Sequence, residues 1–450
     1  MRKLFSLGLL CLTTQALANL HLAPPDFNTQ SGRAVFVDFK KAHYEINFDF
    51  FRQEAIVTSR IEFEQKNSGL PLFDLVPLAK DVRVNGEKVN VVSLSFPGKV
   101  SKAKLIKKSL EPGHHVVEMK NIMSKNVSFD ETFEFVRAAF WIRDLKERLF
   151  LEQYIPSNFE FDQYQITLDL KFTGFRRENQ DIYTNGELTK IAKNHYRIEF
   201  PEYFTVSCPY LHITSKNGFK RLDFTYTSIS GREIPITVYS PWWRRTNSFK
   251  RETIRVMEEL EADYGPWAHP SFVAYGTMPG TGGMEHAGAA ATSFAALDHE
   301  MLHSYFAKGV MPANGNSGWI DEAIAAWRDN GYPRLVDPGF VGSNIGAQSV
   351  YKRNTDKRSY KLGSAFMGYL DYRLQDMGGL KAFLKGYFAA YKHTVVTTEH
   401  FKNNLEFWSG IKFQDEFDRY ILNNNIVQPK IDEENHYHKA LSDEYLKSIL

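Results

Sequence analysis

The residues able to do chemistry gather between positions 280 and 363. His299, Glu300 and His303 form an H-E-x-x-H run. On a helix, positions i and i+4 share a face, so both imidazoles can reach one metal ion. Glu300 then flanks that face and can accept a proton from an activated water. Glu322 follows His303 by 19 positions, in Trp319-Ile320-Asp321-Glu322-Ala323. A carboxylate from a second helix would complete a His-His-Glu set, which suits zinc and leaves a fourth position open for water. The connecting Ala313-Asn314-Gly315-Asn316-Ser317-Gly318 is turn-rich and lets that second helix fold back on the first. The expectation is one zinc ion per chain, held by His299, His303 and Glu322.

Two further segments join this pair in a fixed order. Gly282-Gly283-Met284-Glu285-His286 lies upstream, and Ser359-Tyr360-Lys361-Leu362-Gly363 lies downstream. Together with HEMLHSYFAKG and WIDEAIAAW, they resemble the aminopeptidase N family of gluzincin metallopeptidases, which includes the leukotriene hydrolase type. The first resembles that family's G-x-M-E-N motif and the second its Tyr-x-Lys-Gly segment. The resemblance implies roles for single residues. Glu300 is the general base, Tyr360 the hydrogen-bond donor to the developing oxyanion, and Glu285 the carboxylate that holds a peptide's protonated N-terminal amine. An amine docked there sets cleavage one residue in, which defines an aminopeptidase. Gly282 and Gly283 would let a peptide backbone approach closely. His286 is either a substrate contact or an ordinary loop histidine.

The sequence departs from the family pattern at several points. His286 stands in place of Asn, and Ala323 replaces the usual Gly after the third ligand. The interval from Glu322 to Tyr360 is short. Glu152, in LEQYIPSN, is a candidate for the family's second amine-binding carboxylate. The chain has no room for the large C-terminal helical domain of many relatives, so a short form with a more open cleft is expected.

These side chains need a scaffold, and the sequence changes texture along its length. Alternating runs such as Tyr44, Ile46, Phe48, and Ile166, Leu168, Leu170, Phe172 mark half-buried strands. Asn85-Gly86, Asn185-Gly186 and Asn217-Gly218 read as tight turns between strands. After Pro241 the spacing becomes helical, with segments expected over 248–264, 287–308, 321–329 and 363–377. The expectation is an α+β molecule. An antiparallel β sandwich or saddle covers 19–240, and a mainly helical, thermolysin-like catalytic domain covers 241–450.

Residues 1–18 read as a secretory signal: Arg2 and Lys3, an apolar run, then Ala16-Leu17-Ala18. That run is too short to span a bilayer, so export to a periplasm or medium is expected, with no membrane insertion once the signal is removed. Only Cys11 and Cys208 occur, and signal removal leaves one, which excludes an internal disulfide and a cysteine-based zinc site. The 55 basic and 53 acidic residues nearly cancel, which gives no field to recruit nucleic acid. Peptides are the expected partners. An endopeptidase, another zinc hydrolase and a non-catalytic peptide-binding protein remain open beside the exopeptidase reading.

Overall fold

Period-two alternation builds three sheets in the first half of the chain. The computed structural model describes residues 19–96, 102–143, 145, 149–241, 246–351 and 355–422. The expected signal segment lies outside these residues. The two longest strands, Val37–Asp49 and Glu54–Gln65, pair as a hairpin with Ile46 opposite Val57 and Phe48 opposite Ala55. Tyr44, Ile46 and Phe48 are wholly buried on its inner face. This hairpin is central to an eight-stranded sheet, and five- and four-stranded sheets complete the region. Two pairings break the antiparallel rule: Gln165–Thr173 runs parallel to Val37–Asp49, and Gly32–Val35 parallel to Leu70–Asp74. Each joins segments far apart in sequence, where a long connection can return the chain to the same end of the sheet.

Asn85 and Gly86 take the positive φ angles of a tight turn, 50° and 83°. Asn185-Gly186 does not. Asn185 is buried and donates to the carbonyls of Cys208 at 2.8 Å and Ala287 at 2.7 Å, while accepting from the Tyr210 amide at 2.8 Å. The expected turn is instead a polar cross-link between the β region and the backbone after His286.

A fourth, mixed sheet carries the second half. Its order is Lys220–Thr227, Glu233–Ser240, Phe272–Gly276, Ala289–Thr292 and Gly283–His286. Glu233–Ser240 runs parallel to Phe272–Gly276, with Thr237 level with Val273. A boundary at 240/241 would cut this sheet. The change of texture there marks the start of the helix Thr246–Tyr264, which packs on the sheet.

The helix expected over 287–308 is mostly something else. Ala289–Thr292 is a strand buried throughout, paired on both sides, and after a 3-10 turn at Phe294–Ala296 only Leu297–Leu302 is α-helical. Alanine's helix propensity is worth a few tenths of a kcal/mol per residue against most others, which two ladders and full burial outweigh. The remaining helices include Trp319–Asp329, Leu362–Arg373, Gly379–Tyr391 and Thr398–Ser409. Their aromatic stripes meet in one core of Trp319, Trp327, Phe366, Phe383, Phe401 and Phe417. Among the described residues no helix is long and apolar enough to cross a membrane.

Candidate metal centre and active site

The helix Leu297–Leu302 carries His299 and Glu300, and His303 caps its C-terminus in αR geometry with φ −59°. The i, i+4 relation therefore survives the end of the helix. The Trp319–Asp329 helix folds back and brings Glu322 to the same point. His299 Nε2 lies 3.0 Å from His303 Nε2, and Glu322 Oε2 lies 3.4 Å and 3.6 Å from the two nitrogens. All three side chains are buried.

The donor set fits zinc on three counts. Bonds of about 2.0–2.1 Å in a tetrahedron put ligand atoms about 3.3 Å apart, close to the separations found. Two Nε2 atoms facing each other at 3.0 Å cannot both carry a proton along that line. Glu322 Oε2 is buried with no hydrogen-bond partner. The other imidazole nitrogens are anchored: His299 Nδ1 lies 2.5 Å from Asp329 Oδ2, and His303 Nδ1 lies 3.2 Å from the Phe306 carbonyl. With Nδ1–H donating in both rings, Nε2 is the lone-pair nitrogen of each. Asp329 is seven residues beyond Glu322 on the same helix, two turns along the same face.

Carboxylates crowd the two imidazoles, which favours positive charge at this point. Burial alone would lower the His299 pKa, but Asp329 and Glu322 raise it well above the ordinary value. Burial also opposes His303, which Glu322 and Glu285 lift to about 10. Glu322 is held well below the usual carboxylate range, against its own burial, by His303 and His299. Glu300 is pushed up to about 8 by burial, with the two histidines opposing.

The edge strand Gly283–His286 passes beside this cluster. A Cβ at Gly283 would fall onto the Glu300 carboxyl group, so this glycine makes room for the candidate base itself. Gly282 takes φ 71°, a left-handed conformation that suits glycine. Alternation sends Glu285 to one face of the strand and His286 to the other. His286 Nδ1 pairs with the Pro209 carbonyl at 2.9 Å and its ring meets Tyr210 edge-on. Of the two readings left open for His286, this placement favours the ordinary histidine: it packs into the protein on the face away from Glu285.

Glu285 reaches the cluster. One of its carboxylate oxygens lies within 4.8 Å of ligand atoms of Glu300 and His303. It already has a partner: Lys308 Nζ lies 3.2 Å from Glu285 Oε1, and both side chains are nearly inaccessible, at 2% and 5%. Lys308 follows the motif through a tight reversal in which its amide donates to the His303 carbonyl at 2.8 Å. Ala307, just before it, is held at φ 154°, a strained value for a residue with a Cβ. The Phe150 ring lies 5.8 Å from the Lys308 ammonium. Glu152 is buried two residues further on, in a 3-10 turn behind Phe150.

Tyr360 ends a short 3-10 turn, Lys357–Ser359, and its ring lies nearly parallel to His299 with centroids 6.2 Å apart. The Leu362–Arg373 helix that follows packs tightly on the ligand helix: a Cβ at Gly363 would come within 2.7 Å of Ala323 Cβ. The bare Gly363 thus compensates for the methyl at Ala323.

The architecture is a multi-sheet β domain followed by a helical region, as in the N-terminal and catalytic domains of M1 zinc peptidases. Three solved structures share it. Leukotriene A4 hydrolase from Saccharomyces cerevisiae superposes with a TM-score of 0.61 at 12% identity, over 88% of this chain and 69% of that one. An M1 zinc metallopeptidase mutant from Deinococcus radiodurans, bound to a Tyr-Ser-Ala substrate, gives 0.61 at 12% identity, over 87% and 95%. Legionella pneumophila aminopeptidase A, in complex with aspartic acid, gives 0.60 at 13% identity, over 85% and 49%. At such identities the likeness is one of fold. No family model and no curated protein matches the sequence.

Proposed function

We propose that this chain is a zinc-dependent peptidase of the aminopeptidase N and leukotriene hydrolase type. The observation that carries the reading is the convergence of His299 Nε2, His303 Nε2 and Glu322 Oε2 within 3.6 Å of one another. Zinc at that point supplies Lewis acidity, which polarises a carbonyl and acidifies water. The protein's own groups do the rest. Glu300, buried beside His299, accepts the proton of the attacking water and returns it to the leaving amine. Tyr360 donates a hydrogen bond to the oxygen on which charge develops, a role worth about 3 kcal/mol in comparable sites. Asp329 and the Phe306 carbonyl fix the tautomers of the two histidines. Gly283, packed against its carboxyl group, helps keep solvent from Glu300.

The decisive assay measures zinc in the purified protein and peptide hydrolysis before and after chelation, with Glu300→Gln as control. About one zinc per chain and chelator-sensitive hydrolysis are expected. A protein that holds no zinc after loading would favour a non-catalytic peptide-binding role instead. Removal of N-terminal residues depends on Glu285 being open to a substrate amine, and its pairing with Lys308 favours the alternative, a peptidase that does not need a free N-terminus. Export rests on the sequence of residues 1–18. N-terminal sequencing of protein recovered outside the cytoplasm tests it.

A further inference from the structure

A substrate ammonium and a lysine ammonium make the same demand on a carboxylate. In this chain the lysine is already there. Lys308 Nζ sits 3.2 Å from Glu285 Oε1, with both groups out of solvent. The lysine is moored along its length, by its amide on the His303 carbonyl and by the Phe150 ring near its ammonium. The strained φ of 154° at Ala307 shows that the backbone is bent to deliver it. A second ammonium entering beside it would put two cations on one carboxylate. Expelling Lys308 would strand a buried positive charge. Either event works against binding of a free N-terminus.

We propose that Lys308 takes the seat of the substrate amine, so that the site selects peptide bonds whose N-terminal side bears no free ammonium: N-acylated or internal. The proposal rests on the zinc peptidase reading and deepens it. It assigns Lys308 as a specificity-determining residue and gives Glu285 an internal partner in place of the substrate contact expected from the sequence. The group of Glu285, Glu300 and His303, which on distance alone could hold a second metal, has Lys308 as its cation.

The test uses the zinc-loaded full chain and a pair of probes, leucyl hydroxamate and N-acetyl-leucyl hydroxamate, with affinities read by calorimetry and zinc content measured on the same samples. The wild type is expected to bind the acetylated probe at least as tightly as the free amine. Lys308→Met, which uncovers Glu285, is expected to shift the ratio at least tenfold toward the free amine, and Lys308→Met with Glu285→Gln is expected to abolish that shift. A wild type that prefers the free amine tenfold or more overturns the proposal, and this comparison needs no variant to fold. An unchanged ratio in a folded Lys308→Met also overturns it. Failure of the chain to hold zinc removes the peptidase reading, and the proposal with it. Turnover of free and N-acetylated aminoacyl amides then reports the same preference in catalysis.

Discussion

Asp329 gives His299, a candidate zinc ligand, a defined orientation. Replacing it with Asn keeps the size and removes the charge. Asp329→Asn is expected to weaken zinc binding by about 10–100-fold, measured by competition with a graded chelator. Glu300→Gln should lower kcat by about 10²–10⁴-fold while zinc content stays the same, which separates the proton-transfer role from ligation. Tyr360→Phe is expected to cost about 10²–10³-fold in kcat with little change in KM, because its hydrogen bond is made to charge that exists only in the transition state. The convergence of His299, His303 and Glu322 could be read from the sequence because helical spacing brings i and i+4 to one face. Asp329 lay within reach of the same argument, as an acid two turns beyond Glu322. Lys308 did not, since its pairing depends on a backbone reversal at Ala307 that no periodicity announces. The orientation of His286 was legible in principle: if Glu285 faces the site, its neighbour on a strand faces away.

Elements hold these residues by close approach at two glycines. At Gly283 the edge strand touches the Glu300 carboxyl, and at Gly363 one helix touches another beside the third ligand. Gly283→Ala must move either the strand or the base. It is expected to destabilise the fold by about 1–3 kcal/mol and to reduce kcat more than tenfold, read by thermal melts and steady-state kinetics together. A variant that melts normally and turns over normally would mean that the contact is slack. The strands of the first half were legible because alternation and burial agree along Val37–Asp49 and Gln165–Thr173. The strand Ala289–Thr292 was not, because four small residues carry no period and alanine leans toward helix. Only its two neighbours in the sheet decide its conformation.

The whole molecule answers to pH through histidines it buries uncharged. Burial lowers His212, His269 and His286 from 6.5 to about 3 each. Between those values the unfolded chain binds protons that the folded chain refuses. The stability they contribute is therefore complete above pH 6.5 and is lost as the pH falls toward 3. At pH 5 the loss is roughly 2 kcal/mol per histidine. In zinc-loaded protein the ligating imidazoles must also be neutral, which works in the same direction. Melting temperature should drop between pH 7.5 and pH 5, and His212→Phe should show a shallower decline whatever its absolute stability. An identical slope in that variant would mean that His212 is not buried uncharged.

The hairpin Lys220–Ser240 has a practical corollary for anyone trimming the gene. A product that starts at Pro241 keeps every candidate zinc ligand but loses two of the five strands of the sheet that carries Glu285. The flank of Phe272–Gly276 would then present bare amides and carbonyls, which recruit strands from neighbouring molecules. Fragments begun at Pro241 should precipitate, whereas any that stay dispersed need their first residue upstream of Lys220.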